Sequence, residues 1–280
     1  MGDAVSAVLQ PAFQPGRHYD LAAEDYHAVD ALSSSGIKVL LRSPAHFVTN
    51  RAQPSEPTPS MQFGSAVHMG VLEPEQFERR VIEAPKFDRR TTAGKAGYVE
   101  WQAQTVGKLS FDPETFEHIN RCIDAIRSHD GAMRLIDGVG MAELSLMWTD
   151  AQYEVPCKAR LDYLRPDLGV VDLKTAEDAS PDAFGRAVAT YSYHVQQAWY
   201  QIGCEHALDA SPRFFAFVAA EKSPPYGVAC YTLPIEAVLA GINACNLALS
   251  RYADCLRRDR WPSYPTTIEP VPVPRWLTQS

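Results

Sequence analysis

The stretch KARLDYLRPDLGVVDLKTA, Lys158 to Ala176, most constrains what this chain can fold into. Both of its flanks alternate apolar and polar residues, as half-buried strands do. Lys158, Arg160, Asp162 and Leu164 fall on one face of the first strand, and Val170, Asp172 and Lys174 on one face of the second. Between them, Arg165-Pro166-Asp167-Leu168-Gly169 has turn chemistry, because Pro pre-sets one dihedral and Gly permits a positive one. A tight hairpin then brings Asp162 close to Asp172, with Lys174 one strand period further on. Two carboxylates on one face repel unless a cation lies between them. Hard oxygen ligands favour Mg²⁺ or Mn²⁺. A lysine beside such an ion can position or deprotonate a water, or stabilise charge developing on a phosphate. The same string also fits a solvated hairpin with a surface Asp and Lys, since D-x-K arises by chance in many proteins.

Around the hairpin the chain reads as alternating helical and extended segments. Residues 1–29 form a loose arm, with Pro11, Pro15 and Gly16 interrupting any periodicity. Ser33-Ser34-Ser35 caps a helix carrying Ile37, Leu40 and Leu41, which stops before Pro44. Pro54, Pro57 and Pro59 mark an extended linker, and Phe63 to Leu72 reads as a buried helix carrying His68. Phe116 to Leu135 has helical periodicity, and Glu143 to Trp148 begins the strands. Ser180-Pro181-Asp182 starts a helical region that runs, with a break near Tyr191, to about Leu208. Phe214–Ala220 and Val228–Leu233 are two more strands, and Ile235 to Arg258 is a final amphipathic helix.

The chain's 280 residues suffice for one sizeable core or two small ones. No apolar run reaches transmembrane length, the acidic start Met1-Gly2-Asp3 is not that of a signal peptide, and no internal repeat is visible. A cytoplasmic protein without membrane partners is therefore expected. The six cysteines are widely spread with no C-x-x-C pair, so reduced, mostly buried thiols are expected. The net charge of −8 argues against tight, unassisted nucleic-acid binding by the whole surface, although a locally basic channel can coexist with an acidic exterior.

Four further segments accompany the hairpin: Leu32 to Lys38 continuing through Leu41 to Phe47, Phe63-Gly64-Ser65-Ala66-Val67-His68, Ala142-Glu143-Leu144-Ser145, and Gln196-Gln197-Ala198-Trp199-Tyr200. In this order, with the last as Q-x-x-x-Y, they resemble the PD-(D/E)xK nuclease superfamily. The resemblance is to its RecE-type exonuclease (exonuclease VIII) branch, related to lambda exonuclease and RecB nuclease domains. It covers roughly residues 30–256, and the half-motif here is D-x-K rather than E-x-K. It implies an α/β (α+β) fold, a restriction-endonuclease-like core with a central mixed β-sheet flanked by helices. The expected division is an arm over 1–29, one nuclease domain over 30–258 and a Pro-rich tail over 259–280.

The resemblance also implies roles. His68, which by itself reads as a satisfied core histidine, would join Asp162, Asp172 and the backbone carbonyl of Leu173 around one or two Mg²⁺ ions, with Mn²⁺ as an alternative. Lys174 would position the attacking water, and Glu143, otherwise a solvated strand residue, would act near the metals through a water. Gln196 and Tyr200 share a helix face. They fit a core Tyr with a partnered Gln, and the resemblance sets Gln196 near the lysine, water or DNA and Tyr200 beside the strand. Ser33, Ser35 and Arg42 fit a helix cap with a surface arginine. The residues alone favour that cap over a helix-terminal anion site, which the resemblance makes a grip on a terminal 5′-phosphate. Arg160 and the basic stretch Arg89, Arg90 and Lys95 complete the candidate DNA contacts, the stretch being either a solvated loop or a mobile DNA-contacting one.

The activity so implied is a Mg²⁺-dependent exodeoxyribonuclease that degrades one strand of linear duplex DNA from the 5′ end, releasing 5′-mononucleotides and leaving a 3′ single strand. A superfamily endonuclease or a non-catalytic DNA-end-binding relative are the alternatives. No iron–sulfur cluster is expected, because the cysteines lack the close spacing. The resemblance further implies a ring-like homo-oligomer, a RecT-like single-strand annealing partner, and a phage or prophage recombination setting.

Overall fold

The computed structural model of the protein describes residues 13–53, 55–136, 138–271 and 273. In chain order it begins with β1 (Gly16–His18), α1 (Ala23–Ala28), α2 (Ser34–Arg42), α3 (Pro44–Ala52), α4 (Pro59–Leu72) and α5 (Pro74–Arg80). There follow β2 (Val81–Glu83), α6 (Thr92–Gln104), β3 (Leu109–Phe111), α7 (Pro113–Ser128), α8 (Asp130–Ile136), β4 (Met141–Thr149), β5 (Pro156–Leu164) and β6 (Gly169–Ala176). The chain then continues through α9 (Pro181–Thr190), α10 (Tyr193–Leu208), β7 (Phe214–Glu221), β8 (Val228–Tyr231) and α11 (Ile235–Arg258).

Helix boundaries follow local chemistry. Ser33, Thr58, Thr91 and Asp112 each accept a backbone N–H from the first turn of the helix they precede. Prolines open α4, α7 and α9, where the missing N–H costs nothing. Ser192 sits in the left-handed region at φ 53°, which separates α9 from α10 beside the expected break near Tyr191.

Six strands form one mixed sheet in the order β1-β4-β5-β6-β7-β8, all neighbours antiparallel except β6 and β7. That parallel pair needs a long crossover, supplied by α9 and α10. One face of the sheet packs on α2, α10 and α11 through a cluster centred on Leu144, Leu146, Leu161, Trp199 and Phe217. The other packs on α4 and α7 through Val67, Ile119, Ile126, Leu173 and Val218. The expected α/β core with a mixed sheet between helices is the architecture observed.

Three expectations require correction. Leu164 does not share a face with Lys158 and Arg160. It packs with Ala159 and Leu161 in the first cluster, while Tyr163 joins the second. The pleat therefore changes phase at Asp162, and in β4 it changes at Glu143, where Leu144 lies in one cluster and Ala142 against the other.

Second, the arm expected over 1–29 is part of the domain from Gly16 onward. β1 pairs with β4, and Tyr26 and Val29 are buried. Lys158, 5% exposed, donates to the carbonyls of Tyr26 (2.6 Å), Val29 (2.7 Å) and His27 (3.3 Å), capping α1 with a cation. Sequence periodicity missed this segment because a three-residue strand and a six-residue helix are too short to show any. Residues 1–12 lie outside the described residues.

Third, the tail expected from 259 begins by docking. The Trp261 ring stacks on Phe47 at 6.0 Å, and Ala45 N–H donates to the Pro262 carbonyl at 3.1 Å.

All six cysteines are unpaired and five are buried, and burial pushes the thiols of Cys122, Cys204 and Cys245 up to about 12. Among the described residues no helix is long and apolar enough to cross a membrane.

Candidate functional site

Three carboxylates stand in a row across three neighbouring strands. The register Ala142↔Tyr163 and Leu144↔Leu161 sets Glu143 beside Asp162. The register Leu164↔Val170 and Tyr163↔Val171, continued one step, sets Asp162 beside Asp172. Neither acidic pair belongs to the ladder itself. The Leu173 N–H donates to Asp162 Oδ2 at 2.8 Å, so a side chain takes the place of a strand carbonyl there. Glu143 has φ 50°, a left-handed conformation that costs a residue with a Cβ about 1 to 3 kcal/mol and persists only where the surrounding structure over-determines it.

α4 brings His68 to this row. Its buried face (Phe63, Ala66, Val67, Gly70) fixes the helix against the sheet. His68 at the rim then lies with Nδ1 3.4 Å from Asp162 Oδ2. His68, Glu143 and Asp162 each offer one ligand atom, and these atoms lie within 4.8 Å of one another. Burial lowers the His68 pKa, favouring the neutral imidazole that can ligate, although the Asp162 charge opposes this. Burial, and next the Asp162 charge, push Glu143 up to about 8 and Asp172 up to about 7.

This donor set fits a hard divalent cation. An imidazole nitrogen with carboxylate oxygens suits Mg²⁺ or Mn²⁺, no thiol belongs to the cluster, and the raised carboxyls of Glu143 and Asp172 mark negative charge that a cation would compensate. Asp172 stands apart from the three-atom cluster. It is fully buried and its Oδ1 makes no well-formed hydrogen bond, although the Lys174 ammonium lies against it.

Behind the cluster a polar chain holds Asp172. Burial opposes charge on Lys174, but Asp172 and Asp162 together keep its pKa above the ordinary value. Gln196 Nε2 donates to Asp172 Oδ2 at 2.7 Å and lies 3.1 Å from the Tyr200 hydroxyl. Its Oε1 accepts from Lys38 Nζ at 3.3 Å. Both ammonium groups flank the Tyr193 ring, Lys38 at 5.7 Å and Lys174 at 5.0 Å from its centroid. Burial, with Lys174 nearby, pushes Lys38 down to about 8. Lys38 was not among the expected site residues. Its signal was its place on α2, one turn beyond Ser34 and Ser35.

The row opens into a cleft of about 720 Å³ whose wall includes Ser33, Ser35, Lys38, His68, Glu143 and Arg160. Asp162, Gln196 and Tyr200 line it too, and the Asp20–Ala23 segment with Tyr26 closes one side. Arg160 is held by Ser145 Oγ at 2.9 Å, lies 3.9 Å from Glu143 Oε2, and stacks on Tyr26 at 4.6 Å. Two expected groups lie elsewhere. Arg42 is exposed at the far end of α2, with Nε 3.5 Å from the Tyr264 hydroxyl, because nine helical positions carry it away from Ser33. Arg89 and Arg90 sit in the turn that precedes α6, Lys95 lies in the first turn of that capped helix, and Arg89 lines a different hollow.

Comparison with known proteins agrees with this geometry. Residues 33–271 match the family model described as a PDDEXK-like domain of unknown function (DUF3799). Among solved structures, a candidate exonuclease from Eubacterium rectale is similar with a TM-score of 0.58 at 16% identity, covering 89% of this chain and 97% of that one. A phage-related exonuclease from Haemophilus somnus 129PT is matched at 11% identity and a TM-score of 0.31, over 82% of this chain and 96% of that one. No curated protein sequence matches. The chain belongs to the PDDEXK-like DUF3799 family.

Proposed function

We propose that this PDDEXK-like family member is a metal-dependent deoxyribonuclease, and specifically an exonuclease that digests one strand of linear duplex DNA from the 5′ end. The observation that carries the reading is the cluster of His68, Glu143 and Asp162 on the cleft wall, with Gln196 beside it and the Asp172–Lys174 pair directly behind. His68 and Asp162 would hold Mg²⁺ or Mn²⁺ with Glu143, and Asp172 and the Leu173 carbonyl would complete the set. When bound, the ion would supply Lewis-acid stabilisation of charge on the phosphoryl oxygens.

The remaining roles fall to the chain. Lys174, kept charged by Asp172, positions the attacking water and stabilises charge on the scissile phosphate. Gln196 fixes the Asp172 carboxylate. The Ser33 and Ser35 hydroxyls, with Lys38 and Arg160, offer donors and positive charge for the backbone phosphates. Water adds to phosphorus as the P–O3′ bond breaks, the leaving 3′ oxygen takes a proton, and a 5′-mononucleotide departs. A ring-like homo-oligomer would enclose the duplex, which offsets the repulsion expected from a net charge of −8. Handing the 3′ strand to a RecT-like annealing protein in a phage or prophage recombination setting within the cytoplasm would complete the pathway.

The test is digestion of linear duplex labelled at either the 5′ or the 3′ end, with and without Mg²⁺, beside closed circular DNA. Early Mg²⁺-dependent release of the 5′ label, with the circle intact, is expected. Cleavage of the circle would make the protein an endonuclease, and no digestion with any divalent ion would make it a non-catalytic binder.

A further inference from the structure

Residues 84–113 build a second hollow, of about 830 Å³, that the cleft chemistry leaves unused. Its wall carries three aromatic rings, Phe87, Tyr98 and Trp101, and three cations, Lys86, Arg89 and Lys108. The single carboxylate on that wall, Asp112, is already engaged by the Thr115 N–H at 3.0 Å and the Thr115 hydroxyl at 2.7 Å. In a chain of net charge −8, residues 84–113 carry five lysines or arginines against three acids.

The rings are held in place before any ligand arrives. The Trp101 indole N–H donates to Ser110 Oγ at 3.4 Å. Phe87 meets Tyr98 edge-on with centroids 5.7 Å apart, and the Arg89 guanidinium stacks 4.4 Å over Tyr98. α6 itself has no fully buried residue along its thirteen positions. Aromatic side chains facing such a hollow do little for the core.

The hollow also adjoins the cleft. Gln62 lines the one, and Ser65 and Met69 line the other, on the same face of α4. At 1.5 Å per residue, Gln62 stands only about 9 Å along the helix from His68. A strand running along α4 would therefore touch both.

We propose that this hollow binds single-stranded DNA, with bases stacked on the aromatic wall around Trp101 and phosphates held by Lys86, Arg89 and Lys108. A cationic groove with fixed aromatic rings is how proteins hold unpaired strands without reading sequence, because every base presents a π face. Duplex DNA offers no such faces, its bases being stacked on one another.

The experiment measures anisotropy of a fluorescein-labelled oligothymidylate of about 15 nucleotides in EDTA, where no hydrolysis intervenes. Trp101→Ala is expected to weaken binding about tenfold, Trp101→Phe to stay within about twofold of wild type, and Arg89→Gln to lower the salt dependence by about one ion. Melting temperatures show that the variants are folded. In parallel, a 4-thiothymidine oligonucleotide should crosslink to peptides from residues 87–108. Unchanged affinity in Trp101→Ala, or crosslinks confined to the cleft, would overturn the proposal and leave the hollow to a protein partner. Digestion by the wild-type protein in Mg²⁺ is read separately. Oligothymidylate binding by the wild type that is lost in Trp101→Ala, without any wild-type digestion, would sink the nuclease reading and leave this one standing.

Discussion

Gln196 and Asp172 are joined by a 2.7 Å hydrogen bond that occupies one carboxylate oxygen, while the Lys174 ammonium lies at the other. Asp172 has no solvent exposure, so these two side chains set its orientation and share its charge. The D-x-K motif of the sequence is thus a three-residue unit in the fold, with its third member on α10.

Replacing Lys174 removes the cation from that unit. Lys174→Ala and the stem-preserving Lys174→Met should each lower Mg²⁺-dependent digestion of linear duplex at least about 100-fold. Stranding a buried charge also lowers stability, by about 3 to 5 kcal/mol. Digestion assayed well below the melting temperature, beside circular dichroism, separates the two effects. Full activity in either variant would refute the role given to Lys174.

Glu143 links the metal site to pH. Its folded pKa is raised from 4.5 to about 8, so the folded state holds this proton longer than the unfolded chain does. The associated destabilisation is absent below pH 4.5 and grows as pH rises to about 8. Glu143→Gln should therefore be the more stable protein in EDTA at pH 8, by on the order of 1 kcal/mol or more, with the difference closing toward pH 4. Millimolar Mg²⁺ or Mn²⁺ should raise the wild-type melting temperature by several degrees and Asp162→Asn by little. Thermal melts with and without the ion check both, and an ion-insensitive wild type would count against the metal centre.

Lys38 and Gln196 should act as one unit. Lys38→Ala frees the Gln196 amide to rotate away from Asp172, so each single variant should lose about tenfold or more in kcat. The double variant should lose little beyond the worse single one. Lys38→Arg, which keeps the donor, should recover part of the rate. Additive losses across the cycle would separate the two residues.

Removing residues 1–29 tests the corrected domain boundary. The truncation deletes β1, Tyr26 and the carbonyls that receive the Lys158 ammonium. It also opens one wall of the cleft. A loss of several kcal/mol or failure to fold is expected, seen as a lowered or absent thermal transition. A truncated protein that melts like the full chain would restore the segment to the status of an arm.

Much was legible in the residue order because it depended on near neighbours. The cap at Ser33, the helix start at Ser180-Pro181, the break near Tyr191, the place of the hairpin turn and the alternation of β6 are local choices of dihedral and burial, written within a few positions. Ser180 nevertheless makes no capping hydrogen bond, and the positive φ of the turn falls on Leu168 and not on Gly169. The motif Asp162 … Asp172-Leu173-Lys174 belongs to the same class, because a hairpin's register follows from its turn. The resemblance carried His68, Glu143, Gln196 and Tyr200 to the same cleft, where the structure also finds them.

What only the tertiary structure decided depended on contacts between distant segments. The phase change at Glu143 and Asp162 requires two strands to shift together, which no single strand's alternation records. Lys38 became a site residue because α2 packs against α10, and Arg42 ceased to be one because it stands at the far end of α2 beside Tyr264. Gly16 to Val29 joined the domain through the Lys158 ammonium, more than a hundred positions away. The sequence by itself determined the chemistry available, since side chains and their local spacing are written in it. The fold determined which of those groups meet, because burial and long-range packing, not spacing, decide which face of each element turns inward.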